Sequence, residues 1–185
     1  WGISREERAK HPKLPAEKFV IQDDPFHSGS MLCCIPTPEI DTAIIHAQMA
    51  SPDGTVRIMG ASFQDVDIAM AAKHTIVSCE ELVDNEEIRR HPELNALTGL
   101  CVDAVVHAPC GAHPSQCFNY YDYDSQYYLM YDRVSRTQEE FDKFIEEYVN
   151  DCPTHMEYLN KIGSARLQEL KIKPGYGYVP GLKRR

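Results

Sequence analysis

Between Asp41 and Gly60 the chain reads Asp41-Thr42-Ala43-Ile44-Ile45-His46-Ala47-Gln48-Met49-Ala50-Ser51-Pro52-Asp53-Gly54-Thr55-Val56-Arg57-Ile58-Met59-Gly60. This block constrains the fold more than any other. Ala43 to Ala47 is an apolar run carrying the β-branched pair Ile44-Ile45, which suits a pleated, half-buried surface. Ser51-Pro52-Asp53-Gly54 is strong turn chemistry: Pro52 presets φ, Asp53 bonds nearby backbone, and Gly54 tolerates positive φ. Val56 and Ile58 then alternate with Thr55, Arg57 and Met59, which predicts a returning strand with one wetter face. His46 and Gln48 lie two apart and so share a face of the first strand. Strand ends favour ligand sites in α/β sheets, which makes both residues candidates for substrate contact.

The remaining elements follow the same signals. Residues 1–30 are charged and interrupted by Pro12, Pro15 and Pro25. They read as a surface lead-in with one short helix starting at Ser4-Arg5-Glu6-Glu7. Met31 to Ile35 reads as a buried strand, stopped by Pro36 and Pro38. A helix is expected over 64–73, with Ser62 as its cap. A strand follows over 74–79 (Thr75-Ile76-Val77), then a charged helix or turn over 80–90 facing water, and another strand over 102–108. Alternating strands and helices predict an α/β domain with an open, mostly parallel sheet flanked by helices. From Thr137 the pattern turns helical: Thr137-Gln138-Glu139-Glu140 resembles a capping box. Phe141, Phe144, Ile145 and Val149 follow at helical spacing. A further helix is expected over 155–170, with Gly163 as its weak point, and Pro174-Gly175 opens a tail. The expected organisation is one domain over 1–185: a lead-in (1–30), an α/β core (31–136), and C-terminal helices with a tail (137–185).

The 185 residues suffice for one core of ordinary size, and 43% are hydrophobic. No apolar run approaches the roughly 20 residues of a membrane helix. Net charge is −9, which argues against nucleic acid or an anionic membrane as partner. Any phosphate would need local positive groups, helix N-termini or a partner chain. The basic Lys183-Arg184-Arg185 reads as a frayed, solvated end. Seven irregularly spaced cysteines and no visible secretory signal predict free thiols in a reducing cytoplasm.

The second informative block is Val105-Val106-His107-Ala108-Pro109-Cys110-Gly111-Ala112-His113-Pro114-Ser115-Gln116-Cys117. A strand ends at Pro109, and His113, Ser115 and Gln116 cluster just beyond it, where open α/β sheets bind ligands. These three are further substrate-contact candidates. The alternative is a structural connection in which Ser115 caps a following helix. His107, Cys110, His113 and Cys117 have metal-ligand chemistry. Four ligands from one short, proline-restricted segment do not converge readily, so no metal site is expected. The tract Tyr120-Tyr121-Asp122-Tyr123-Asp124, with Tyr127, Tyr128 and Tyr131, reads as an amphipathic interface surface, its acids opposing nucleic-acid phosphate. Phosphate-loop, dinucleotide-binding, serine-elbow and zinc-protease motifs are all missing from the sequence.

Taken together, these blocks resemble the A chain of the two-subunit family I CoA-transferases, in its glutaconate branch. The resemblance spans almost the whole sequence. Its most specific parts are Asp41 to Gly60, Phe63-Gln64-Asp65-Val66-Asp67-Ile68-Ala69, Cys79-Glu80-Glu81, Val102-Asp103-Ala104-Val105-Val106 and Gly111-Ala112-His113-Pro114-Ser115-Gln116-Cys117. Tyr121-Asp122-Tyr123-Asp124 and Glu157-Tyr158-Leu159 also fit. The family's A subunits carry a further N-terminal section, so the resemblance implies part of a longer subunit. Position 110, usually aromatic in the family, is Cys110 here. The resemblance implies transfer of CoA between an acyl-CoA and a free carboxylate, such as glutaconyl-CoA or a related dicarboxylyl-CoA with acetate. A glutamate forms an acyl anhydride and then an enzyme–CoA thioester. That glutamate is expected on the B subunit, the implied partner, so no catalytic residue is expected on this chain. Glu80 and Glu81 are read as a solvated acidic strand end. CoA enters as a substrate, and no permanently bound cofactor is expected. Two alternatives remain open: one chain of a related CoA-dependent hydrolase, and a non-catalytic fragment with an exposed sheet edge.

Overall fold

A computed structural model describes residues 3–184. Its centre is a four-stranded sheet. Strands β3 (Ile40–Ala50), β5 (Ala72–Leu82) and β6 (Ala104–His107) are parallel, and β4 (Val56–Arg57) is antiparallel at the outer side of β3. Helix α2 (Asp65–Ala71) is the crossover from β4 to β5, and α3 (Asn85–Arg89) with a 3-10 turn at Pro92–Leu94 leads toward β6. Helices α4 (Ser125–Val134), α5 (Gln138–Ile145), α6 (His155–Ile162) and α7 (Ser164–Leu170) complete the chain, with a π-helical turn at Glu146–Asn150 after α5. Before the sheet come α1 (Arg5–Arg8) and a hairpin of β1 (Val20–Asp23) with β2 (Met31–Cys34). The α/β architecture expected from the sequence is the one observed.

The turn at Ser51–Thr55 closes as its residues dictate: Gly54 N–H donates to the Ser51 carbonyl, and Gly54 has φ +84°. Beyond it only two residues pair, Val56 with Ala50 and Arg57 with Met49. The rest of β3's outer edge is unpaired among the described residues, and Ile44 there is 78% exposed. Arg57, expected on a wet face, is buried. Its guanidinium donates to the carbonyls of Ile88 and His91 and to Asn95 Oδ1. The last turn of α3 supplies carbonyls that need donors, so the arginine is drawn inward.

The core lies on one face of the sheet. Ile45, Ala47, Val77 and Cys79 pack there against Ala69, Val56 and Leu97. Burying an Ile or Val side chain fully is worth about 1.5–3 kcal/mol. Strand periodicity sends the alternate residues His46, Gln48, Ser78 and Glu80 to the opposite face.

Several other expectations are corrected. Met31 to Ile35 does form a strand, but an exposed one: β2 pairs with β1, and Met31 is 59% exposed. Helix α2 begins at Asp65 after Gln64, which makes no side-chain cap bond, so Ser62 is not the cap. β5 extends to Leu82, carrying Glu80 inside the sheet, and only Asn85–Arg89 forms the charged helix. The helix expected over 155–170 is two, broken where Gly163 takes φ +89°. The helix after the 105–117 loop is capped by Asp124, not Ser115. The tyrosine tract is divided: Tyr121 is buried and Tyr127 lies edge-on to Phe144, which stacks on Tyr148, while Tyr128 and Tyr131 are 42% and 41% exposed. The basic tail is anchored rather than frayed. Arg184 pairs with the buried Asp122 and lies over the rings of Tyr123 and Tyr178 (Arg185 lies outside the described residues). All seven cysteines are free thiols, as expected.

Candidate active-site cleft

The polar face of β3 and β5 is roofed by the loop running from Ala108 to Tyr121. At its centre is Glu80, 7% exposed. Its Oε1 accepts hydrogen bonds from His46 Nε2 at 2.6 Å and Tyr121 Oη at 2.7 Å. Its Oε2 accepts from Cys110 N–H at 2.8 Å. Burial alone would raise the Glu80 pKa. The bonds from His46, Cys110 N–H and Tyr121 outweigh it and hold the carboxyl below its usual value. Burial, together with the Glu80 charge, pushes the Tyr121 phenol far up, so it remains a donor. Tyr121 Oη in turn accepts from Ala112 N–H at 2.9 Å.

His46 Nδ1 lies 2.9 Å from Ser78 Oγ, so both ring nitrogens have partners. Its ring is also fixed from above. A Cβ on Gly111 would sit 2.7 Å from the Ala108 carbonyl and 2.9 Å from His46 Cε1. Only glycine allows the loop to lie this close to the imidazole.

Beside this network opens a cleft of about 420 Å³, lined by Ile58, Met59 and Phe63 on one wall and by Ala112, Gln116, Cys117 and Phe118 on the other. His46 and Gln48 form its floor, and Asp65 is at its rim. Gln48 ties the two walls together. Its Oε1 accepts from Met59 N–H at 2.8 Å, and its Nε2 donates to the carbonyls of Met59 and Phe118 at 3.3 and 3.4 Å. A second cleft of about 400 Å³ lies across Glu80, between Glu81, Cys110, Tyr120 and α7.

The structure thus brings together three of the five sequence candidates: His46, Gln48 and Gln116. His113 and Ser115 lie outside this cleft. His113 is buried against Asp124 (3.2 Å) and Tyr158 (2.7 Å), and Ser115 Oγ bonds Tyr128 Oη at 2.7 Å. Glu80, Tyr121, Gly111 and Phe118 were missed as site residues. The reading of Glu80 as a solvated strand end is corrected. The register His46↔Ser78 sets Glu80 beside Gln48 on one face, and parity along a strand extended by three residues past Cys79 would have found it.

The four sequence-spaced metal-type residues do not converge: His107 Nε2 faces the Glu80 carbonyl at 3.1 Å, and His113 is buried with Asp124. A different set does come together. His46, Glu80 and Cys117 offer ligand atoms within 4.8 Å of one another. Here His46 and Glu80 are bonded to each other, and burial pushes the Cys117 thiol up to about 12. His46 and Glu80 are thus satisfied by hydrogen bonds, and Cys117 is a protonated, buried thiol beside them.

An open, mostly parallel sheet flanked by helices, with a cleft on one face, defines an α/β domain. The sequence profile of the coenzyme A transferase family matches residues 13–108. The chain belongs to that family. It is 58% identical over 178 residues to the A subunit of glutaconate CoA-transferase from Acidaminococcus fermentans, an alignment covering 96% of this chain and 56% of that one. It is 35% identical over 162 residues to the A subunit of 3-oxoadipate CoA-transferase from Pseudomonas knackmussii, covering 84% and 54%. The crystal structure of the Acidaminococcus fermentans glutaconate CoA-transferase superposes with a TM-score of 0.88 at 58% identity, over 97% of this chain and 56% of that one. The chain therefore spans about half the length of the curated relatives it matches.

Proposed function

We propose that this chain is part of the A subunit of a two-chain CoA-transferase. The enzyme moves CoA between an acyl-CoA and a free carboxylate, with glutaconyl-CoA or a related dicarboxylyl-CoA and acetate as the substrates. The observation that carries this reading is the 58% identity, along 96% of the chain, to the A subunit of a glutaconate CoA-transferase. The cleft supports it. Its volume is at the small end of ligand clefts, about 300–1,000 Å³, which suits an acyl group rather than a whole CoA.

The local chemistry supports a division of labour between the two chains. A nucleophile needs a free lone pair aimed at the thioester carbon. Glu80 is 7% exposed and does not line the acyl cleft, and its bonds serve that cleft by holding His46 and the 110–112 backbone in place. The attacking glutamate belongs to the partner B subunit. That carboxylate attacks the acyl-CoA thioester, forming the acyl anhydride and expelling the CoA thiolate. The thiolate then attacks the glutamyl carbonyl of the anhydride, giving the enzyme–CoA thioester and releasing the first acid as its carboxylate, and the second carboxylate reverses the steps. His46, Gln48 and Gln116 face the acyl group from the floor and wall of the cleft. His113 and Ser115 lie outside the cleft and brace that wall, through Asp124 and Tyr158 and through Tyr128 respectively. CoA is a substrate, and the free thiols suit a reducing compartment such as the cytoplasm.

The test is native mass spectrometry and isotope exchange on the full-length subunit co-expressed with its neighbouring B-type chain, supplied with glutaconyl-CoA and labelled acetate. A mixed complex with CoA bound covalently to the B-type chain and label in acetyl-CoA is the expected result. Free glutaconate without labelled acetyl-CoA would replace the transferase by a hydrolase. Failure to form the complex, together with no turnover, would overturn both.

A further inference from the structure

Phe118 is the largest side chain on the 112–118 wall of the cleft, and its position is fixed to an unusual degree. A Cβ on Gly60 would lie 3.0 Å from Phe118 Cδ1, and a Cβ on Gly177 would lie 3.0 Å from Phe118 Cε2. Two separate backbone segments therefore press on the ring. The first follows β4, on the opposite wall, and the second belongs to the C-terminal tail. Each approach is possible only because no side chain intervenes.

The tail is itself held. Gln116 Nε2 donates to the Gly177 carbonyl at 3.0 Å, and Val179 N–H donates to Asp122 Oδ2 at 2.9 Å. Arg184 closes the arrangement by pairing with the same carboxylate. On the other side, Gln48 Nε2 reaches the Phe118 carbonyl. Gly60 and Gly177 therefore close off two of the directions in which the ring could move when a longer ligand enters. Phe118 nevertheless remains 40% exposed and lines the cleft.

We propose that Phe118 is the specificity-determining residue of this cleft, a fixed stop that sets the length of acyl chain accepted on CoA. The inference rests on the acyl-cleft reading above. A fixed apolar stop discriminates between chains differing by one methylene by about tenfold or more.

The experiment uses the assembled two-chain enzyme and a series of carboxylate-terminated acyl-CoA donors, lengthened one methylene at a time. The readout is the ratio of kcat/KM between neighbouring chain lengths. Phe118→Ala shifts the preference about tenfold toward the longer donors. Gly177→Ala pushes the ring into the cleft and shifts the preference toward shorter ones. Phe118→Leu keeps an apolar plug against both glycines, gives a smaller shift of the first kind, and serves if the alanine variant does not assemble. A uniform fall in kcat/KM at every length, with the ratios unmoved, overturns the inference while leaving the acyl-cleft reading intact. A wild-type enzyme that transfers none of these acyl groups overturns that reading and the inference together.

Discussion

Two histidine–carboxylate pairs bear on the 108–121 loop, one beneath it and one that includes its own His113, and they are built for different ends. In His46–Glu80 the histidine side chain is 14% exposed and borders the cleft. In His113–Asp124 the two side chains are 1% and 4% exposed, and Arg166 adds a bidentate bond to the carboxylate at 2.6 and 3.0 Å. Burial pushes the His113 pKa down, so the ring is neutral beside an ionised Asp124 that already has its cation. Its Nδ1 then accepts from the Tyr158 hydroxyl, which burial keeps protonated. The Glu80 carboxylate has no arginine and depends on His46, a tyrosine and a backbone N–H. A sealed, arginine-locked pair is a device for stability. A pair open at one end and held by weaker donors is a device for positioning.

The largest expected effect breaks the sealed pair. Asp124→Asn retains an oxygen to cap α4 but leaves Arg166 with only the exposed Glu169 as counter-charge. Breaking a buried ion pair costs about 3–5 kcal/mol when the remaining charge is uncompensated, and Glu169 holds the loss to the lower end of that range, to be read as a fall in the unfolding free energy in urea. Activity per folded molecule should stay near wild type. Lost activity with unchanged stability would reverse the roles assigned to the two pairs.

Glu80→Gln should reach activity as well as stability. The amide leaves a buried donor or acceptor mismatched against Tyr121 or Cys110 N–H, a cost of about 1–3 kcal/mol in stability. If the same energy is lost from positioning the cleft, acyl-transfer kcat/KM falls about ten- to a hundredfold. A variant that loses stability but keeps kcat/KM would make this pair structural as well.

How much of this was legible beforehand differs between the two pairs. The sheet, the turn at Ser51–Thr55 and the helical C-terminal region follow from local periodicity and turn chemistry, which act over a few residues. His46 and Gln48 were found by strand parity. Glu80 was missed because acidic residues after an apolar run look like a strand end, and only the register with β3 shows the strand continuing. His113 was singled out as a candidate site residue because it follows a strand. Its partners Asp124, Tyr158 and Arg166 come from helices whose packing no local pattern encodes. Phe118 depends on two glycines, 58 positions before it and 59 after, whose approach exists only in three dimensions.

Gly111→Ala sharpens the comparison without touching a charge. The added methyl would meet the Ala108 carbonyl at 2.7 Å and His46 Cε1 at 2.9 Å, so the loop or the ring must shift. Overpacking of this kind costs about 1–3 kcal/mol. The His46 displacement should appear as a fall in kcat/KM, while His113 and Asp124 keep their environments. Resolved histidine side-chain NMR signals distinguish the outcomes: His46 should shift and His113 should not. Movement of both would mean that the loop couples the two pairs.

The smallest effect is in the acid range, where both pairs contribute with the same sign. Burial would raise the Asp124 carboxyl, but the bonds from Arg166, Tyr127 N–H and His113 outweigh it and hold the pKa down to about 2, from 3.8. The unfolded chain therefore takes up this proton first as pH falls. The stabilisation is complete above about pH 4 and is lost progressively toward pH 2. Glu80 is depressed from 4.5 and acts in the same direction, its contribution present above that value and lost below. His113 is a base with a lowered pKa, so the unfolded state binds its proton first, and stability begins to fall near the ordinary value of 6.5. Unfolding midpoints from about pH 7 to about pH 3 should decline in wild type. In Asp124→Asn the lowest part of that decline should flatten, since the acid with the lower pKa is gone. In Glu80→Gln the flattening should instead begin just below pH 4.5. Identical profiles for the two variants would mean that neither carboxylate is held as the geometry describes, and the contrast between sealed and open pairs would fail at its electrostatic root.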